Sequence, residues 1–175
     1  MIFEKGKLEG VYLITPEQIR DNRGFFARSF CQNELKEIGI EFECRQCNYS
    51  YNEKKGTLRG MHYQREPYYE AKIVTCISGS VFDVIIDIRK ESDTYLKWQG
   101  FYLSPNEYKS LYIPRGFAHG FVTLEDSACL FYQMSEFYHK GYEAGIRYDD
   151  PAVSIEWPQM EPFIISIKDK AFDYL

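Results

Sequence analysis

Two of the three histidines in this 175-residue chain stand in company that suits chemistry. His62 lies in Leu58-Arg59-Gly60-Met61-His62-Tyr63-Gln64, close to a glycine that lets another group approach the backbone. His119 follows a sharp turn in Ile113-Pro114-Arg115-Gly116-Phe117-Ala118-His119-Gly120-Phe121. An imidazole titrates near neutral pH, so one held in a cavity serves as a base when a carboxylate orients its tautomer. Lys72 opens a strand-like run soon after His62, and Tyr132 lies in the apolar-rich stretch Ala128-Cys129-Leu130-Phe131-Tyr132-Gln133-Met134. A base, a phenolic acid and a cation converging in one barrel suit removal of a proton beside a carbonyl, with the cation holding the enolate. For a lone histidine the bland alternative, a hydrogen-bonded core residue, is the commoner case. The accompaniment of His62 tilts the balance toward catalysis.

The elements that must position these groups read as strands. Runs such as VYLIT, GFFARSF, FECRQCNYSY, LRGMHYQ, KIVTCIS, SVFDVIIDIR, WQGFYL, SLYIP, FAHGFVTL and ACLFYQMSEFY follow one another at spacings near ten residues. Turn chemistry at Lys55-Gly56, Ser78-Gly79, Ser104-Pro105-Asn106 and Pro114-Arg115-Gly116 separates them, a rhythm typical of a β-sandwich or barrel. From Val81 to Arg89 the even positions Phe82, Val84, Ile86 and Ile88 are apolar, while Asp83, Asp87 and Arg89 are odd, which predicts one core face and one face toward something polar. Helical signals are confined to Gln32–Ile38 and Ser166–Tyr174, where Ser166 suits an N-cap and Asp169 the third helical position. For Asp169 the plain reading of that pattern is a capping carboxylate. The length suits a single domain over residues 1–175.

Composition narrows the classes. With 21 basic against 26 acidic residues the net charge is −5, the wrong sign for a sequence-independent nucleic-acid binder. No apolar run approaches a membrane span and no secretory leader opens the chain, so a soluble, cytoplasmic protein is expected. Five cysteines without a leader are then expected to be thiols. Cys44-x-x-Cys47 invites a zinc reading, but no second pair exists and strand alternation would put the two on opposite faces.

The pattern Pro-x-Gly-x-x-His at Pro114, Gly116 and His119 resembles the second motif of the cupin superfamily, which implies an all-β jelly-roll barrel with a ligand cavity and a few short peripheral helices. Metal-binding cupins carry a His-x-His pair in their first motif, whereas His62 is followed at that spacing by Gln64. Two barrel imidazoles are too few for a histidine-rich centre, so neither metal nor other cofactor is expected.

The resemblance then becomes closer. Asp21-Asn22-Arg23-Gly24-Phe25-Phe26, Gln46-Cys47-Asn48-Tyr49-Ser50, the Leu58–Gln64 block, Asp83–Arg89, the Ile113–Phe121 block and Asp149-Asp150-Pro151 occur in the order of the dTDP-4-dehydrorhamnose 3,5-epimerase family. This resemblance implies an isomerase that inverts C3 and C5 of a nucleotide-linked 4-keto-6-deoxy sugar, most simply dTDP-4-dehydro-6-deoxy-D-glucose to dTDP-4-dehydro-L-rhamnose. The alternatives are a single-centre epimerase or ketoisomerase on the same scaffold, and a non-catalytic nucleotide-sugar binder. By the resemblance His62 is the base, Asp169 its partner, Tyr132 the opposite acid and Lys72 the oxyanion holder. Arg23 and Arg59 take the diphosphate, and Gln46, Asn48 and Ser50 line the sugar-nucleotide strand. Phe26, Arg28, His119 and Tyr138 complete the binding set, with Arg28 standing where thymidine-specific members carry glutamate. The family also implies a homodimer whose amino-terminal strands extend the neighbour's sheet.

Overall fold

The computed structural model describes residues 1–160 and 163–175. The strands are β1 (Ile2–Lys5), β2 (Tyr12–Thr15), β3 (Gln18–Asp21), β4 (Gly24–Ala27), β5 (Gln46–Asn52), β6 (Thr57–Gln64), β7 (Lys72–Ser78), β8 (Val81–Asp87), β9 (Trp98–Leu103), β10 (Ser110–Ile113), β11 (Phe117–Thr123), β12 (Ala128–Met134), β13 (Glu143–Gly145) and β14 (Ile164–Ile165). Two short helices, α1 (Gln32–Glu37) and α2 (Ile167–Lys170), lie between and after them. One sheet runs β1-β2-β10-β7-β12-β5 and the second runs β13-β6-β11-β8-β9, with β14 pairing β6 and β3-β4 forming a separate hairpin. This is the expected all-β jelly roll of the cupin type, built as two facing sheets rather than one closed cylinder.

The core between the sheets comes from alternate residues of both. Val74 and Cys76 of β7, Leu111 and Ile113 of β10, and Leu130 of β12 meet Val81 and Ile85 of β8 and Phe117 and Phe121 of β11. A second cluster covers the outer face of the other sheet, where Phe82, Val84 and Ile86 pack with Leu58, Ala118, Val122, Ile146 and Val153. All seven residues of β8 are therefore buried: Val81, Asp83 and Ile85 point inward, where Asp83 meets the polar His119, and the even residues lie under the carboxyl-terminal segment. Asp87 is held by Arg89, Ser92 and Thr94 at the following turn. A third cluster seats Leu35 of α1 with Ile40 and Phe42 against Ile14, Ile73 and Tyr112 on the outside of the first sheet. Each such large apolar side chain contributes about 1.5–3 kcal/mol when fully buried.

Boundaries differ from the sequence expectation where tertiary packing intervenes. The run from Phe42 becomes a strand only at Gln46, because Phe42 turns inward to stack edge-on near Tyr112. The carboxyl-terminal helix stops at Lys170 instead of Tyr174, since Phe172 is drawn against Gly145, where no Cβ would fit. Its amino terminus follows expectation, with Ser166 Oγ accepting the Asp169 N–H at 3.0 Å. All five cysteines are free thiols. Cys44 and Cys47 do not lie on opposite faces of a strand: Cys44 precedes β5, strand alternation does not reach it, and the two sulfurs are 3.6 Å apart.

Candidate active site

The site begins with an unusually close pair of strands. His62 on β6 pairs with His119 on β11, and the register shifts between His119 and Phe121. A Cβ on Gly60 would sit 2.5 Å from the Gly120 Cα, and Gly60 adopts φ +134. Only glycine permits that approach and that backbone region. It leaves the Gly60 N–H pointing out of the ladder, where it donates to Asp169 Oδ2 at 3.2 Å.

Asp169 thereby reaches β6 from α2. Its Oδ1 lies 2.8 Å from His62 Nε2, and Asp169 is 4% exposed while the His62 side chain is 44% exposed. Burial alone would raise the Asp169 carboxyl, but the hydrogen bond and charge of His62 and the Gly60 N–H outweigh it and hold the group below its ordinary range. An ionised carboxylate can only accept, which assigns the proton to Nε2 and leaves the Nδ1 lone pair of His62 as the basic atom. The edge of Phe172 lies against the imidazole, ring centroids 6.0 Å apart. The sequence-predicted capping carboxylate does not cap the helix: Ser166 is the N-cap and fixes the backbone that aims the Asp169 carboxylate at His62 and Gly60.

Tyr132 comes from β12 in the facing sheet, paired with Val74 and Asn48. It packs against the inter-sheet core, edge-on to His119 with centroids 5.8 Å apart. Burial, reinforced by the negative Asp83, pushes its phenol well above the ordinary tyrosine value, so it holds its proton. His119 is itself buried, with Nε2 2.8 Å from Asp83 Oδ2, and so acts as a second imidazole–carboxylate pair behind the site. Lys72 is also buried; its Nζ lies 3.4 Å from the His62 carbonyl and 3.1 Å from Glu70 Oε1. The cation expected at this place is present, already partnered by a carboxylate that sequence reasoning missed.

A cavity of about 760 Å³ opens beside the dyad. Of the residues expected from sequence, Gln46, Asn48, Arg59, His62, Tyr138 and Asp169 line it. Arg59 is anchored there through Nε to Asn52 Oδ1 at 2.7 Å. Tyr132, Lys72 and His119 are not among its lining residues, nor is Ser50, although strand alternation puts Ser50 on the face of Gln46 and Asn48. Arg23, Phe26 and Arg28 are not brought to the cavity of their own chain. Arg23 pairs with Asp21 and Arg28 with Glu34, and Phe26 is 75% exposed on the β3–β4 hairpin.

The cavity also uses Gln64, Glu70, Glu136, Glu143 and Lys168, none of which the sequence reading selected. Lys168 was within reach of it, being the sequence neighbour of Asp169. Glu143 sits on a three-residue strand with no sequence signal. Gln64, which replaces the second histidine of metal-binding cupins, spends its amide on backbone: Nε2 donates to the Tyr68 and Phe137 carbonyls and Oε1 accepts the His139 N–H. Among the described residues no group of three or more His, Cys, Asp or Glu side chains is arranged to hold a metal ion.

Comparison with known proteins agrees with this geometry. Residues 5–175 match the family model described as dTDP-4-dehydrorhamnose 3,5-epimerase. A dTDP-4-dehydrorhamnose 3,5-epimerase of Shigella flexneri is 45% identical over 166 residues, covering 94% of this chain and 91% of the relative. The crystal structure of dTDP-4-dehydrorhamnose 3,5-epimerase from Elizabethkingia anophelis NUHP1 superposes with a TM-score of 0.96 at 36% identity, covering 99% of this chain and 96% of that one. The dTDP-6-deoxy-D-glucose-3,5-epimerase of Legionella pneumophila Philadelphia 1, solved in complex with dTDP-4-keto-L-rhamnose, gives 0.92 at 37% identity, covering 99% and 92%. With a near full-length match, the same jelly roll and a histidine–aspartate pair facing a sugar-sized cavity, this chain belongs to the dTDP-4-dehydrorhamnose 3,5-epimerase family.

Proposed function

We propose that the protein converts dTDP-4-dehydro-6-deoxy-D-glucose to dTDP-4-dehydro-L-rhamnose, with His62 as base, Asp169 as its orienting partner, Lys72 as oxyanion holder and Tyr132 as the opposite acid. The observation that carries this reading is the placement of the His62–Asp169 pair and Tyr132 on facing sheets. Inversion of a carbon requires a proton to leave one face and another to arrive at the opposite face, and two groups on facing sheets suit that need.

The C4 ketone acidifies both C3 and C5. His62 Nδ1 takes the proton from one of these carbons, and the C–H electron pair moves through the carbonyl to O4 as an enolate. The Lys72 ammonium, buried near the His62 carbonyl, stabilises that oxygen; such a charge acts more strongly away from bulk water. The Tyr132 hydroxyl returns a proton to the other face, the ketone reforms, and solvent exchange resets acid and base. The second carbon follows by the same path, and no redox step is needed.

Arg59 supplies one guanidinium for the diphosphate, and its planar fork matches two phosphate oxygens. The remaining sequence-matched residues, Arg23, Phe26 and Arg28, belong to the exposed β3–β4 hairpin, where Ile19 and Phe26 are 73% and 75% exposed. A homodimer places the partner's hairpin at the cavity, completes the nucleotide site and covers these apolar side chains. A cytoplasmic location belongs to the same reading: a reducing compartment maintains the five thiols in that state.

The test is NMR analysis of the product formed from dTDP-4-dehydro-6-deoxy-D-glucose. The proposal expects both C3 and C5 inverted. Product inverted at one carbon makes the protein a single-centre epimerase, and unchanged substrate overturns the assignment. Sedimentation of the protein at micromolar concentration checks the dimer, which a monomer contradicts.

A further inference from the structure

Outside the catalytic groups, one pair of side chains is placed for chemistry that the epimerisation does not use. Cys44 and Cys47 are both exposed, with their sulfurs 3.6 Å apart. A disulfide needs about 2.05 Å, so the sulfurs must approach by about 1.5 Å. The residues between them, Arg45 and Gln46 at the start of β5, carry the anchors of the segment that forms one wall of the cavity. Arg45 Nη1 lies 2.8 Å from Glu136 Oε1, and the Arg45 guanidinium sits over the Phe137 ring at 5.8 Å. Gln46 Oε1 accepts the Tyr138 N–H at 2.9 Å. Gln46, Glu136 and Tyr138 all line the cavity.

We propose that Cys44 and Cys47 form a reversible dithiol–disulfide site, oxidised by a low-molecular-weight disulfide of the glutathione type, and that closing the bridge displaces Arg45 and Gln46 and with them the cavity wall at Glu136–Tyr138. One cysteine thiolate attacks a sulfur of the small disulfide and expels one thiol. The second thiolate attacks the protein sulfur of this mixed disulfide and expels the other. The protein pair loses two electrons and two protons, and the small disulfide gains them as two thiols. The remaining cysteines are less accessible: Cys76 is buried, and Cys31 and Cys129 are partly covered.

The thiol chemistry stands on geometry alone, whereas the effect on the cavity rests on the nucleotide-sugar function proposed above. The full-length protein is incubated with oxidised glutathione, then analysed by intact mass and peptide mapping after alkylation. Loss of two hydrogens, mapped to a Cys44–Cys47 bridge and reversed by excess thiol, is expected. Cys44→Ser is expected to retain glutathione on Cys47 as a stable mixed disulfide. Calorimetric titration with dTDP then compares the two states, and the oxidised protein is expected to bind about two- to tenfold more weakly, the loss of one or two wall hydrogen bonds. The Cys44→Ser/Cys47→Ser double variant is expected to keep the reduced affinity in the presence of oxidant. Absence of the bridge overturns the site, and a bridge that leaves dTDP affinity unchanged overturns its coupling to the cavity. Reduced protein that binds no dTDP counts against the nucleotide-sugar function instead, and the mass result still decides the thiol chemistry.

Discussion

Replacing Asp169 by asparagine preserves size and removes one charge from the pair that orients His62. Both carboxylate oxygens are engaged, Oδ1 with His62 Nε2 and Oδ2 with the Gly60 N–H, and at 4% exposure no water shell replaces the lost charge. Asparagine offers one accepting oxygen, so one of these two donors must face an amide NH2. A hydrogen bond to a charged group contributes about 1.5–3 kcal/mol. It acts most strongly where imidazolium forms, in the transition state for proton removal. At about 1.4 kcal/mol per tenfold, kcat is expected to fall about 10- to 150-fold, toward the lower end because the His62 side chain is 44% exposed and partly screened. KM is expected to change little, since both Asp169 carboxylate oxygens are already engaged by His62 and the Gly60 N–H. The assay follows product by NMR at several substrate concentrations, with circular dichroism as the control for folding. A variant with kcat within twofold of wild type refutes the claim that Asp169 sustains the base.

Other substitutions separate the remaining roles. Tyr132→Phe removes the acid but not the base: epimerisation is expected to fall about 10²- to 10⁴-fold, while solvent deuterium still enters on the His62 face with retention, and equal loss of both signals contradicts the division of labour. Lys72→Met is expected to lower kcat about 10²- to 10³-fold and to destabilise the fold by leaving buried Glu70 unpaired; adding Glu70→Gln should restore melting temperature without restoring kcat, and recovered activity would remove Lys72 from the mechanism. Asp87 is a structural control: burial would raise its carboxyl, but Arg89, Ser92 and Thr94 overcome this and hold it at about 2. Because the folded value is depressed, its stabilisation is complete above the unfolded value near 4 and is lost as pH falls toward 2. Asp87→Asn should therefore cost about 2–3 kcal/mol at pH 7 in denaturant unfolding and flatten the acid limb between about pH 4 and 2; an unchanged limb contradicts the assignment.

The strands that carry chemistry were legible as apolar-rich runs bounded by turn residues: β6, β7, β11 and β12 lie where those runs fall. What escaped was imposed from outside each run. In β8 Asp83 meets the polar His119 as its face required, but Val81 and Ile85 on that same face pack in the inter-sheet core, and the apolar even face is covered by the carboxyl-terminal segment. The Cys44–Cys47 proximity was misread because the strand starts only at Gln46. Asp169 looked like a capping carboxylate, but Ser166 is the cap and the Asp169 oxygens go to Gly60 and His62; a local pattern cannot reveal a hydrogen bond spanning 107 residues. Glu70, Glu136 and Glu143 carry no local signature and become site residues only when the sheets face each other. Arg23, Phe26 and Arg28 matched by motif, and the single chain does not bring them to its own cavity, a separation that motivates the dimer.

The central claim, that His62 removes protons beside the C4 ketone, is tested most directly by isotope exchange. Wild-type protein and His62→Ala are incubated with dTDP-4-dehydro-6-deoxy-D-glucose in heavy water, and deuterium at C3 and C5 is followed by NMR. The account predicts deuterium at both carbons with wild type and none above the enzyme-free control with His62→Ala. Undiminished exchange by a folded His62→Ala protein would contradict it.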